Sequence, residues 1–376
     1  VFRALLKAGL ARGLSATGVT RAYSELSGAA SQPLVIGYHR VVEDFDASAQ
    51  ESIPAMLIST RMLEAHLDWI GRRYRFVSLD ELATILESGI TPRKPVAAVT
   101  FDDGYRDVYH HALPLLRRKG IPAGVFLVTE LTGTSRIPLH DRLYLLLHRA
   151  EQLPSLGPTE VVRMLHRLDL PDRDLARRWA RAKGAFARLG ALSAALPQDD
   201  LLRLVAALQE RLELEEADLE PFRLLSWEMA RALLEAGITV GSHTRTHSLL
   251  THEHPALVRD ELAGSRREIR EHLGIEAFHL AYPAGCFTSS VVSAAAAAGY
   301  RYGYVTCRHR DAALPLLTIP RRLLWENACL DSGGRFSPSV LSCQASSLFD
   351  LAAPCRMEHA VSALPSTAPA PEAPVF

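Results

Sequence analysis

The run Thr100-Phe101-Asp102-Asp103-Gly104 sets two carboxylates side by side after an apolar stretch. Further along, Gly241-Ser242-His243-Thr244-Arg245-Thr246-His247 supplies two histidines spaced i, i+4. One carboxylate with two imidazoles is a His₂Asp donor set for a divalent cation, with room left for water. The neighbouring carboxylate is then free to take that water's proton, since consecutive residues at a strand end point their side chains in different directions. A cation there lowers the pKa of water, polarises a carbonyl and keeps the second carboxylate ionised. Metal-assisted hydrolysis is the chemistry this combination suits. Taken alone, an Asp-Asp pair reads as a helix cap plus a solvated acid, and two of 15 histidines read as packing or surface residues. Their joint occurrence, each after a strand-like segment, carries the reading. The signatures of other hydrolases are missing: there is no Gly-x-Ser-x-Gly elbow, no His-Glu-x-x-His and no Gly-x-x-x-x-Gly-Lys phosphate loop.

The elements that must position these residues alternate along the chain. Residues 34–39, 95–101, 121–129, 238–240, 278–282 and 302–306 read as buried strands, and 76–79 as a shorter strand-like segment. Helical spacing covers 61–73, 81–87, 109–119, 227–236, 255–273 and 290–298. Ser78 or Asp80 can cap the second of these, and Gly120 and Gly237 stop the third and fourth. Such alternation specifies an α/β fold with a parallel sheet, open or closed into a barrel, and in such folds catalytic groups gather at the C-terminal ends of strands. Between about 139 and 222 the pattern changes to Leu-, Arg-, Ala- and Glu-rich helical segments, broken near Pro154–Pro158, Pro171 and Pro197. This reads as a helical insertion that serves as a lid, a partner surface or packing decoration.

With 376 residues, 48% of them hydrophobic, the chain can bury a sizeable core. Its 42 basic and 42 acidic residues balance, which gives no overall electrostatic footprint for nucleic acid. The five cysteines at 286, 307, 329, 343 and 355 are odd in number and include no Cys-x-x-Cys. They argue against a disulfide scaffold and for a reducing compartment. Cys286 reads as a small buried hydrophobe. No run of 18 apolar residues is present. Residues 1–30 read as a basic amphipathic helical segment, with Arg3, Lys7 and Arg12 among Leu6, Leu10 and Leu14. It either packs on its own domain or touches a membrane surface peripherally. Charges interrupt it too often for a signal-peptide core, so a cytoplasmic, membrane-associated location is the expectation. The main domain is expected over 31–340, followed by an Ala/Pro/Ser-rich, disordered tail over 341–376.

Thr-Phe-Asp-Asp-Gly followed by His-Thr-x-x-His resembles the polysaccharide deacetylase family, the NodB-homology domain of carbohydrate esterase family 4. The likeness runs from Leu34 to about Thr306 around the insertion. It includes Tyr38-His39-Arg40, Phe76-Val77-Ser78-Leu79-Asp80-Glu81-Leu82 and Ala281-Tyr282-Pro283-Ala284-Gly285. The first two of these segments resemble the branch that acts on poly-N-acetylglucosamine exopolysaccharides. The resemblance implies a distorted (β/α) barrel and removal of N-acetyl groups from N-acetylhexosamine units of a bacterial polysaccharide or its lipid-linked precursor. Its partner would be an acetylated glycan and its cofactor a divalent metal, with zinc expected although His₂Asp is not a selective set. Carried over by position, Asp102 is the general base, and Asp103, His243 and His247 hold the metal. The Ala284 N–H donates to the oxyanion, and Tyr282 and Pro283 line the groove. Two positions depart from the family's pattern. Ala281 stands where an Arg usually orients the base, leaving Arg321 or Arg322 to compensate. The late Leu-x-His acid is not found, since His309 sits in His-Arg-Asp, and the match in the exopolysaccharide branch is His39. A deformylase or O-acetyl esterase on the same scaffold, and a catalytically silent glycan-binding protein, are the rival readings.

Overall fold

The computed structural model describes residues 2–26, 32–153, 156–170 and 173–351. Eleven strands are present among them: β1 Leu34–Tyr38, β2 Arg40–Val42, β3 Leu57–Ser59, β4 Arg75–Phe76, β5 Val96–Phe101, β6 Ala123–Leu127, β7 Thr239–Ser242, β8 His279–Ala281, β9 Tyr302–Val305, β10 Ile319–Pro320 and β11 Arg322–Leu323. The main sheet runs β10-β9-β8-β7-β6-β5-β1-β11, with β4 added beside β5, and its pairings are all parallel. β1, β5 and β6 are buried along their whole length, as strands covered on both faces must be, which is why their sequences read as apolar runs without alternation. The two end strands of the path, β10 and β11, are consecutive in the chain and separated by Arg321 alone. The sheet therefore curls until its two ends meet across one residue, as a distorted (β/α) barrel. β2 and β3 form a separate two-stranded sheet.

Capping fixes where the helices start. Ser59 Oγ accepts from the Met62 N–H at 3.1 Å and opens the helix Thr60–Arg73. Ser78 Oγ accepts from the Glu81 N–H at 3.1 Å, so the next helix, Leu79–Ser88, begins two residues before the expected Glu81. The preceding strand shrinks to Arg75–Phe76 for the same reason. The segment expected as one helix over 109–119 is a wide π-type turn, Val108–Ala112, that leads into an α-helix over Leu113–Lys119. The change falls at Pro114, which has no N–H to give to a preceding carbonyl.

The insertion holds five longer helices: Leu139–Gln152, Pro158–Arg167, Arg173–Arg181, Gly184–Ser193 and Gln198–Gln209. They bury their own apolar cluster, including Leu143, Leu165, Leu192 and Leu204, apart from the main core. Two of the expected breaks, at Pro154 and Pro171, lie outside the described residues. The N-terminal helix Phe2–Ala16 turns Ala8 and Ala11 into the main core and packs on the helix Pro338–Ala345. That last helix buries Val340, Leu341 and Cys343, so the structured domain continues past the expected boundary at 340; residues 352–376 lie outside the described part. No described helix is long and apolar enough to cross a membrane, and Cys286, Cys307, Cys329 and Cys343 are not in disulfides.

Candidate active site

Strand ends deliver the functional side chains to one rim of the barrel. The Asp102 N–H donates to Tyr38 O at 2.9 Å, which ties the end of β5 to the end of β1, where His39 follows. The His243 N–H donates to Leu127 O at 2.7 Å, which sets the end of β7 beside the end of β6. Beyond β5 the chain turns at once. Asp103 and Gly104 take positive φ values of 65° and 73°, and a Cβ on Gly104 would come within 2.8 Å of Leu127 Cδ2. Six described non-glycine residues have positive φ, and four of them are Asp103, Thr244, His247 and Ala284. Backbone strain is thus concentrated at this rim, the pattern of a functional site.

Asp103 is fully buried, and neither carboxylate oxygen has a hydrogen-bond partner. Its Oδ1 lies 3.5 Å from His243 Nε2 and 3.3 Å from His247 Nε2, and the three ligand atoms fall within 4.8 Å of one another. The Ala281 carbonyl can only accept, so its 2.7 Å contact makes His243 Nδ1 the donor and leaves Nε2 unprotonated toward Asp103. Burial lowers the pKa of both imidazoles, keeping them in the neutral form that ligates metals. Burial, then the neighbouring charges of Asp102 and Asp141, raises Asp103 well above the ordinary carboxylate value. A buried carboxylate with no donor, facing nitrogens of two neutral imidazoles, is a donor set that a divalent cation fits.

The loop between the histidines is held from behind. Glu261 accepts from the N–H groups of Arg245 at 2.8 Å and Thr246 at 3.0 Å, and from Thr246 Oγ1 at 2.6 Å. Thr244 Oγ1 accepts from the His247 N–H at 3.1 Å.

Asp102 is gripped by Arg321, whose Nη1 and Nη2 donate to the two carboxylate oxygens at 2.6 and 2.7 Å. Burial alone would raise this carboxyl, but Arg321, His243 and His39 outweigh it and hold it down at about 2. Arg321 Nη1 also donates to Thr100 Oγ1 at 3.0 Å, and the guanidinium lies over the rings of Phe126 and Tyr304. Of the two arginines named as substitutes for a motif Arg, Arg321 therefore reaches Asp102. Arg322 turns away to Asp350 and Ser347.

Asp102, Asp103, His243 and His247 line a cavity of about 390 Å³, together with His39, Ala284, Gly285 and Trp325. Burial pushes the His39 imidazole down to about 4 against the pull of Asp102. Ala284 has φ 54°, and Gly285 follows at φ 70°, where a Cβ would lie 2.2 Å from Thr306 Oγ1. Tyr282 and Pro283 are not among the lining residues. Tyr282 is turned inward and fully buried, with its ring against the open side of Gly303 and 6.3 Å from that of Phe287. A residue that sequence reading missed is His140, from the first insertion helix. Its ring lies 4.8 Å from that of His247, and its Nε2 is 3.0 Å from Tyr105 Oη. Only tertiary packing brings it here, and no spacing in the sequence signals it.

Comparison with known proteins agrees with this geometry. A family model described as polysaccharide deacetylase matches residues 89–182 and 192–303, more than half of the chain. The poly-beta-1,6-N-acetyl-D-glucosamine N-deacetylase of Staphylococcus epidermidis is 28% identical over 110 residues, covering 27% of this chain and 38% of that protein. The match takes in less than two fifths of the length of the curated relatives found. Among solved structures, IcaB from Ammonifex degensii superposes with a TM-score of 0.51 at 18% identity, over 84% of this chain and 97% of that one. The Streptococcus pyogenes deacetylase PplD, solved with acetate, gives 0.50 at 18% identity, over 82% and 96%. At that identity the two structures speak for the fold alone. The family match spans both sides of the insertion and contains Asp102, Asp103, His243 and His247, so the chain belongs to the polysaccharide deacetylase family.

Proposed function

We propose that this protein is a metal-dependent N-deacetylase acting on N-acetylhexosamine units of a bacterial polysaccharide or its precursor. The observation that carries the reading is the unpartnered Asp103 between His243 and His247, one residue from the Arg321-bound Asp102. Asp103, His243 and His247 would hold a divalent cation, zinc being the one expected. When bound, the cation supplies Lewis-acid polarisation of the acyl carbonyl and acidifies a water. Asp102 accepts the proton as attack on the carbonyl proceeds. Its proton affinity is low, so it passes the proton on and does not store it. His39 lines the same cavity and is neutral at pH 7, which suits it to relay that proton to the departing amine. The Ala284 N–H, on its left-handed turn, is assigned to the developing oxyanion. The acetylated glycan is the partner, as it is for the staphylococcal relative that shares part of the sequence.

The test is acetate release from chitooligosaccharides by the zinc-loaded wild type and by Asp102→Asn. Release by the wild type alone supports the reading. Zinc bound in both with release by neither would exclude chitooligosaccharide N-acetyl groups as the substrate.

A further inference from the structure

The cavity has two unlike walls. One carries the catalytic groups. The other is built by the insertion and the segment after β2, from Met56, Leu143, Phe186, Leu189, Gly190 and Leu201. Of the polar side chains that the insertion adds, His140 lies beside His247 at the catalytic end, Gln198 is tied to Thr246 Oγ1 at 2.7 Å and to Ser248 Oγ at 2.9 Å, and Ser193 contributes one hydroxyl at the end of its helix. Mostly apolar side chains therefore line the same space as the metal-ligand set, which a substrate must enter. Such a wall offers few partners to the hydroxyls of a second or third sugar ring, and leaving them unpaired works against binding. Each methylene buried there favours an alkyl chain by roughly fourfold. Gly190 sits in the middle of the helix Gly184–Ser193, where a helix former would be more stable, and a Cβ there would meet nothing within 4 Å. Gly190 thus leaves open space that a side chain there would begin to fill.

We propose that this wall seats an aliphatic chain carried by the substrate, so that the acylated sugar reaching Asp102 bears a hydrocarbon tail. The inference rests on the deacetylase reading above and narrows its substrate class. The chain has two possible attachment points with the same chemistry: the acyl group that is removed, or the group on the sugar's anomeric oxygen.

The experiment is calorimetric binding to the zinc-loaded full chain of two probe series, each kept below its critical micelle concentration. One series is methyl, hexyl and decyl N-acetyl-β-glucosaminide; the other is N-acetyl-, N-hexanoyl- and N-decanoylglucosamine. Affinity should climb with chain length in one series, by roughly fourfold for each methylene buried, and the series that climbs identifies the attachment point. Gly190→Phe should flatten the climb, while Gly190→Ala, a single carbon in open space, should largely keep it. Equal affinity along both series overturns the proposal, and so does a climb that Gly190→Phe leaves intact. Acetate release, measured in parallel from chitotetraose and the methyl glycoside, separates the two readings. Release with flat binding would remove the chain site and leave the deacetylase. Climbing binding with no release from any probe would do the reverse.

Discussion

Arg321 holds both oxygens of Asp102 at 2.6 and 2.7 Å, from the single residue that joins the two ends of the sheet. Barrel closure and the ionisation of the proposed base are thus one structural feature. Because β10 and β11 run straight into and out of Arg321, any loosening of the closure also loosens the grip on Asp102. The guanidinium matters as a planar fork, which lysine does not reproduce. Arg321→Lys keeps the charge and loses the two-point contact. We expect kcat/KM to fall roughly a hundredfold through misplacement of the base. With the two guanidinium hydrogen bonds gone, burial would raise the Asp102 carboxyl, and the acid limb of the kcat/KM profile would move to higher pH. A profile lowered uniformly, with its acid limb unmoved, would assign Arg321 to structure alone.

Asp103 is a liability to the fold unless a cation is bound. Its two oxygens are buried without donors, and an unsatisfied buried polar group costs about 1–3 kcal/mol, more when charged. Asparagine tolerates the left-handed backbone that Asp103 adopts at φ 65°. Asp103→Asn should therefore be at least as stable as the wild type in chelator. Zinc at a hundred times its Kd should stabilise the wild type by about 2.7 kcal/mol and leave the variant nearly unchanged. Urea melts of both proteins, with EDTA and with zinc, measure this directly. Equal responses to zinc would place the metal elsewhere.

The four acidic and imidazole residues were legible because each pair is local in sequence and follows a run of apolar residues that can only be a buried strand. The parallel α/β sheet followed from the same alternation, which left open or closed undecided; the barrel came from the family resemblance. Arg321 was only half legible. Its strands, Ile319–Pro320 and Arg322–Leu323, are too short for any periodicity to register, so sequence alone left two adjacent arginines equivalent. The side of the backbone to which Tyr282 points was not legible either. It depends on Gly303 leaving room for the ring, a contact between neighbouring strands. His140 and the apolar wall come from an insertion whose helices were visible but whose placement over the rim is tertiary. For such a segment, amphipathic spacing says that something is covered and not what.

His66 makes the fold sensitive to acid independently of the site. Its Nδ1 lies 3.2 Å from Tyr38 Oη, its Nε2 is buried without a partner, and burial pushes the imidazole down to about 4. In the unfolded chain the same group titrates near 6.5. Between those values the unfolded chain holds the proton and the fold does not. The neutral group is therefore harmless above pH 6.5, and stability is lost as pH falls toward 4, by about 3 kcal/mol in all. His66→Gln, which keeps an acceptor for Tyr38, should show a shallower loss in urea melts at pH 7, 5.5 and 4.5. Parallel losses in the two proteins would mean that other groups carry the acid sensitivity.

Glu261 is the residue through which metal affinity can be changed without touching a ligand. Three donors converge on its carboxylate, all from Arg245 and Thr246, in the loop that spans from His243 to His247. His247 and Thr244 hold positive φ values of 66° and 68° within that loop. An unfavourable backbone persists only where its surroundings fix it. Glu261→Leu is similar in size but offers no acceptor, which leaves the N–H groups of Arg245 and Thr246 unpaired and should let the loop relax. Zinc affinity should fall by roughly 10- to 100-fold, the usual consequence of disturbing groups that orient ligands. His243, tied separately to Ala281 O, should stay in place. Competition with a zinc-chelating dye gives the affinity, and saturating zinc should restore most of the acetate release. Lost release at full zinc occupancy would instead mean that Glu261 positions the substrate side of the loop and not His247.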